Sequence, residues 1–131
     1  MIFLRTTLVV LSLNLIVHAQ PAITAADAWI VEAPAGGSAA LSVVINNPTM
    51  YDIYVVKVTT DAAGKIELRD GDKAVKEITV PSYGSAELTA TGPHVMLMDL
   101  KNALKAGENV TLTLMTDGGV TVVTTAVVKA R

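Results

Sequence analysis

The sequence predicts an all-β protein, an antiparallel sandwich or barrel of eight or nine short strands. Turn-forming residues recur about every ten residues from Ala28 onward. The runs between them are rich in Val, Ile, Thr and Tyr, which favour strands. Aromatic residues make up only 4% of the 131 residues, so small and β-branched side chains must fill the core. This length suits one domain.

The first segment, residues 1–25, has the pattern of a secretory signal peptide. Arg5 precedes an apolar run from Leu8 to Val17, and small residues follow. The run is shorter than the roughly 20 residues that a membrane-spanning helix needs. We expect cleavage after Ala19 or near Ala25 and Ala26, which leaves a mature domain at 26–131 in the periplasm or outside the cell. An uncleaved anchor or a buried first strand is the alternative.

Charge and cysteine content exclude several classes of partner and site. Without residues 1–19 the chain has nine basic residues, since Arg5 is lost, against twelve acidic ones, a net charge of −3. The charges are scattered, so neither a nucleic acid nor an anionic membrane is an expected partner. The sequence has no cysteine, so disulfides, thiolate metal sites and a lipid-modified cysteine are excluded. We expect a soluble mature protein without stable membrane insertion.

Turn signals divide the first half of the domain into three strands. Pro34 with Gly36 ends the first, the turn-initiating pair Asn47-Pro48 ends the second, and the segment 61–64 ends the third. The predicted strands are 28–33, 38–47 and 51–60.

The second half contains two hairpin signals and one short irregular connection. Asp70-Gly71-Asp72 stands between two extended runs, and Gly118-Gly119 closes the last hairpin. Apolar residues alternate with threonines over 110–114, which places them on one face of a strand. The stretch 100–108 predicts a single turn between two strands. The predicted strands are 65–70, 73–80, 84–90, 94–100, 108–115 and 120–128.

The stretch TGPHVMLMDL, residues 91–100, holds the candidate functional residues. His94 is the one histidine beyond the first twenty residues. Residues two apart on a strand project from the same face about 6.5–7 Å apart, so His94 and Met96 can converge on one ligand and Met98 extends the row. Imidazole and thioether donors suit Cu(I). The alternative is structural, since methionines on strands commonly fill cores and a single histidine is commonly hydrogen-bonded or on the surface.

The sequence gives little support to catalysis. Outside the first twenty residues it offers one histidine, no cysteine and no carboxylate cluster denser than Asp70 and Asp72, which are turn residues. We therefore expect that the protein is not an enzyme.

Around His94 the sequence resembles the periplasmic copper chaperones of the PCuAC type. The matching stretches are AALSVVINNPT at 39–49, KIEL at 65–68 and GPHVMLMDLKNALKAGENVTLTL at 92–114. The resemblance implies a cupredoxin-like Greek-key β-sandwich that binds Cu(I) through histidine and methionine ligands. It also implies delivery to respiratory oxidase copper sites, with an oxidase subunit or assembly factor as partner. His94 and Met96 match the family's His-x-Met ligands.

The chain departs from the family at the other half of the site. Arg69 stands where the family has an upstream histidine, and the hairpin at 70–80 is short and contains no methionine. A positive charge there repels a copper cation.

Three outcomes stay open for this half-site. Copper binds weakly through His94 and Met96, helped by Met98, Met50 or a partner's ligands. Alternatively, copper binding is lost and the scaffold binds a protein of the cell envelope, or a second copy in a homodimer supplies the missing ligands.

Overall fold

The computed structural model describes residues 22–131, and this part of the chain is built entirely from strands and their connections. Residues 1–21 of the predicted signal peptide, and with them the earlier of its two cleavage positions, lie outside the described residues. No helix in residues 22–131 is long and apolar enough to cross a membrane. The strands are β1 (Thr24–Val31), β2 (Ala39–Asn47), β3 (Ile53–Thr59), β4 (Ala63–Asp70), β5 (Lys73–Ala74), β6 (Ile78–Val80), β7 (Gly84–Leu88), β8 (Pro93–Leu100), β9 (Asn109–Thr116) and β10 (Thr121–Lys129).

The ten strands form one curled sheet in the order β5-β4-β8-β2-β1-β10-β9-β3-β6, with β7 also paired to β2. The predicted all-β class is confirmed, with ten strands in place of eight or nine. The pairing is antiparallel except between β1 and β10, which run parallel from Trp29 opposite Val127 to Val31 opposite Lys129. β7 and β8 lie one after the other along β2, so the turn between them rests beside the middle of β2.

The predicted strand at 73–80 is two strands at opposite edges of the sheet. Lys73 and Ala74 pair with the end of β4, and Ile78 to Val80 pair with β3. The side chains explain the split, because Ile78 and Val80 are buried whereas Lys73 to Ala74 are exposed on both faces. Only the second piece has an apolar face that must be covered by the core.

Both predicted hairpins are present. Gly71 and Gly119 have φ angles of 62° and 83°, a conformation that glycine adopts without the strain other residues suffer. They join β4 to β5 and β9 to β10. The connection at 101–108 contains no helix, and its Leu104 forms an isolated bridge with Ala33.

The core lies on the concave face of the curled sheet. Inward-facing residues alternate with outward-facing ones along β2, β8, β9 and β10, as a period of two requires. The largest of the fully buried apolar side chains are Ile30, Leu41, Ile45, Leu88, Leu97, Leu112 and Leu114. The side chains on the opposite face of β8 therefore do not contribute to this core.

Candidate metal centre

Strand β8 places His94, Met96 and Met98 on the outer face of the sheet. The intervening Val95 and Leu97 have no exposed surface and belong to the hydrophobic core. Because strand side chains alternate between faces, the three candidate ligands form a row that points away from this core. The three side chains therefore lie on one face of β8, as their spacing in the sequence predicts. They do not belong to the hydrophobic core.

His94 is nevertheless almost completely covered, with 2% of its surface exposed. Its Nδ1 lies 2.8 Å from the carbonyl oxygen of Gly92. Gly92 belongs to the turn between β7 and β8, which is held by a hydrogen bond from the Gly92 amide to the Thr89 carbonyl and by one from the Thr89 amide to the Pro93 carbonyl. The turn thus fixes the ring against the outer face of the sheet.

The hydrogen bond to Gly92 also determines which ring nitrogen of His94 is free. A carbonyl oxygen only accepts, so Nδ1 carries the proton and the neutral ring keeps its lone pair on Nε2. Histidines that bind metals are commonly oriented in this way, with the second nitrogen donating to a backbone carbonyl. Among residues 22–131, Gly92 is the hydrogen-bond partner of the ring. Nε2 is therefore chemically able to coordinate a soft cation.

Met96 and Met98 continue the row as half-buried side chains. Met96 lies opposite Ala40 on β2 and opposite Glu67 on β4. Met98 lies opposite Lys65. Since Ala40 is small, the Met96 thioether has space on the side of β2, whereas Met98 has a cation as its neighbour. Of the two methionines, Met96 is the better placed candidate ligand.

Arg69 is the direct cross-strand partner of His94. Opposite residues in an antiparallel pair have Cβ atoms about 4.5–5.5 Å apart. The resemblance places the family's upstream histidine at position 69, and a side chain at this position would indeed stand beside His94. The position is next to the candidate ligands, but it is occupied by a guanidinium group that cannot coordinate a metal ion.

The charge of Arg69 is paired within the same strand. Its Nε donates to the Glu67 carboxylate, with Nε and Oε1 2.7 Å apart, and both side chains are partly buried. The repulsion expected from Arg69 alone is therefore offset by a carboxylate opposite Met96. Sequence reasoning missed Glu67, although the alternation of KIELR along a strand places Glu67 and Arg69 on one face.

Met50 does not join this row. It lies in the bend after β2 and is 61% exposed. Leu41, opposite Val95, and Asn47, at the end of β2, are six residues apart, about 20 Å along an extended strand. The structure therefore places Met50 at the far end of β2 from His94. Two exposed tyrosines lie nearby, since Tyr51 follows Met50 in the chain and the Tyr83 amide donates to the Thr49 carbonyl.

Other metal chemistries have no support in the described part of the chain. No group of three or more His, Cys, Asp or Glu side chains in residues 22–131 is arranged to hold a metal ion. Magnesium and calcium sites are built from several oxygen ligands. The donor set of His94 and Met96 instead fits a soft monovalent cation such as Cu(I).

The fold and the sequence both have recognisable relatives. The family model described as "Putative lipoprotein LpqE-like" matches residues 23–128. The protein "Putative lipoprotein Lxx21020" of Leifsonia xyli subsp. xyli is 32% identical over 103 residues, which cover 72% of this chain and 61% of that protein. The chain thus spans about three fifths of the length of this curated relative.

Three solved structures share the fold. The apo PCuAC domain from PmoF1 has a TM-score of 0.77 at 20% identity, over 87% of this chain and 98% of that chain. The copper-bound PCuAC domain from PmoF2 has a TM-score of 0.75 at 21% identity, over 87% and 97%. The Cu(I) form of DR1885 from Deinococcus radiodurans has a TM-score of 0.68 at 31% identity, over 82% and 76%. The resemblance inferred from the sequence is confirmed: the chain belongs to the LpqE-like family and is related to the PCuAC domains, whose fold it shares.

Proposed function

We propose that this protein is an exported copper chaperone that holds Cu(I) between Nε2 of His94 and the thioether of Met96. The observation that carries the proposal is the orientation of His94, whose Nδ1 donates to Gly92, so that the neutral ring has its lone pair on Nε2, on the same face as Met96. The fold shared with a copper-bound PCuAC domain and with the Cu(I) form of DR1885 supports the choice of metal.

Two protein ligands suit transfer better than storage. A Cu(I) ion held by one nitrogen and one sulfur retains open coordination positions, which the ligands of an accepting protein can enter before His94 and Met96 leave. This exchange needs no catalytic group. The PCuAC resemblance suggests respiratory oxidase copper sites, or a factor that assembles them, as the destination. The predicted signal peptide and the lipoprotein description of the family support a location outside the cytoplasm.

One observation favours a second function, in which the scaffold has lost copper and binds an envelope protein instead. His94 is 2% exposed, so Cu(I) reaches Nε2 only if the groups that cover the ring move. The positions of the two further family ligands offer no substitute, because Arg69 does not coordinate metals and the segment 70–80 contains no histidine or methionine. A homodimer in which a second copy completes the site is the remaining alternative.

A competition titration distinguishes these functions. The mature protein is titrated with Cu(I) against a chromophoric chelator, together with His94→Asn and Met96→Ala. Asn retains an amide that can donate to the Gly92 carbonyl but has no equivalent of Nε2. Met115→Ala is the matched control, since Met115 is a half-buried strand methionine on β9, four strands from β8. Loss of affinity in the first two variants alone supports the proposal, and equal affinity in all four proteins contradicts it.

A further inference from the structure

Strands β3 and β4 follow one another in the chain and line the same groove, but they share no hydrogen-bonded ladder. β6 pairs with β3 only from Ile53 to Val55. β5 pairs with β4 only at Arg69 and Asp70, and one further bond joins the Val75 amide to the Leu68 carbonyl. Within residues 22–131, the rest of β3 therefore pairs only with β9, and the rest of β4 only with β8.

The space between these two edges is a groove of about 560 Å³, called here the β3/β4 groove. Its apolar lining residues include Val58, Ile66 and Leu68, of which Val58 and Leu68 are buried. Lys57, Lys65 and Lys76 are its charged residues. The groove is thus apolar at its base and cationic at its rim.

The charge of the groove is unbalanced. No acidic residue is among those that line the groove. Within residues 22–131 the ion pair is that of Arg69 with Glu67, so none of the three lysines is paired with a carboxylate there. Three like charges beside an apolar surface favour a ligand that brings carboxylates.

We propose that the β3/β4 groove binds an extended acidic segment of a partner protein by addition of a strand to β4. An unpaired strand edge offers main-chain hydrogen bonds to an added strand, and alternate side chains of that strand then point to opposite faces. One set of side chains covers the apolar base, and the other brings carboxylates to Lys65 and Lys57. This binding site is independent of copper and goes beyond the proposed function.

The free edge of β4 is better suited to this role than that of β3. The ladder between β3 and β9 has a bulge between Val55 and Lys57, and bulges disrupt the regular edge that a new strand needs. The ladder between β4 and β8 is regular from Lys65 to Asp70. The partner strand would therefore lie about 4.8 Å from β4, on the side opposite β8.

The test uses a capped synthetic peptide in which Glu and Val alternate over about nine residues, long enough to span the unpaired part of the β4 edge at 63–67. Binding to the ¹⁵N-labelled protein is followed by NMR, and we expect saturable shifts at Val58, Lys65 and Ile66. The affinity of the same peptide with Lys in place of Glu should be lower by about tenfold or more. Two further peptides are methylated on the backbone nitrogens of either the Glu or the Val residues. One of the two should lose binding, because only alternate amides face β4.

Charge reversal identifies the surface involved. Lys65→Glu with Lys76→Glu should weaken binding of the acidic peptide about tenfold. Lys101→Glu with Lys105→Glu changes the net charge equally outside the groove and should leave binding unchanged. The proposal is overturned if the acidic peptide causes no saturable shifts, if the Lys peptide binds equally well, or if neither set of methyl groups matters. It is also overturned if the protein self-associates through this groove and Lys65→Glu makes it monomeric, which would assign the groove to a second copy.

Discussion

Arg69 and His94 are direct cross-strand partners in the antiparallel pair of β4 and β8. A histidine at position 69 would therefore stand next to the imidazole of His94 and on the same face of the sheet as Met96. The proposed half-site lacks a ligand at position 69, where the backbone would place a side chain beside His94.

Arg69→His should consequently raise the affinity for Cu(I), by about tenfold or more. The substitution adds an imidazole donor and removes the guanidinium group, and these two effects must be separated. Arg69→Gln is the control, because it removes the positive charge without adding a ring nitrogen. Affinity is measured by chelator competition. If Arg69→His binds no better than Arg69→Gln, position 69 does not reach the metal.

Glu67→Gln should weaken Cu(I) binding, by a few-fold at low ionic strength. The carboxylate offsets the charge of Arg69, and without it that charge acts on the cation with only solvent to screen it. The effect should shrink as salt is added. The double variant Glu67→Gln with Arg69→Gln should bind at least as well as the wild type, since both charges are gone. Equal loss in the single and double variants would show that Glu67 acts in some other way.

The parts of the fold that depend on local patterns were predictable from the sequence, and the long-range ones were not. The alternation at Val110 and Leu112 identified β9, and Asp70-Gly71 identified the β4/β5 hairpin. The break within 73–80 depends on β3, which is distant in the chain, so a continuous strand was the natural expectation.

The same distinction applies to the candidate site. Spacing alone placed His94 and Met96 on one face, and the resemblance pointed to position 69. The coverage of His94 could not be predicted, because it depends on how the turn with Gly92 lies against the sheet. The pairing of Arg69 with Glu67 could have been proposed from strand alternation, but its geometry could not.

Asn47→Ala should destabilise the protein by about 2–4 kcal/mol. The side chain is 1% exposed, and its amide donates to the carbonyls of Tyr51 and Val80 while its oxygen accepts from the amide and hydroxyl of Thr49. Removal leaves the buried Val80 carbonyl without this donor and loosens the bend after β2. Urea unfolding measures the change. Asn46→Ala, at the exposed neighbouring position, is the control and should cost less than about 1 kcal/mol.

Leu97→Ala should cost about 2–5 kcal/mol, because Leu97 is fully buried and truncation leaves a cavity. Met96→Ala, one residue away on the outer face, should lower the free energy of unfolding by clearly less. The comparison by thermal and urea unfolding tests the alternation of β8 that underlies the candidate site. A larger loss for Met96→Ala than for Leu97→Ala would mean that the outer face is the better packed one.

Processing of the predicted signal peptide should follow Ala19 and not Ala25. Thr24 pairs with Asn46 and Ala25 with Ile45 in the first part of β1, and Ile23 packs against the core. Cleavage after Ala25 would remove these three residues, at a cost of about 1–3 kcal/mol in lost packing. Mass spectrometry of the exported protein gives its first residue. Two proteins that begin at Gln20 and at Ala26 then test whether residues 23–25 stabilise the fold. The protein that begins at Gln20 should unfold at a higher urea concentration. Equal midpoints for the two would show that Ile23 to Ala25 contribute nothing to the fold, and the structural basis for preferring Ala19 would be lost.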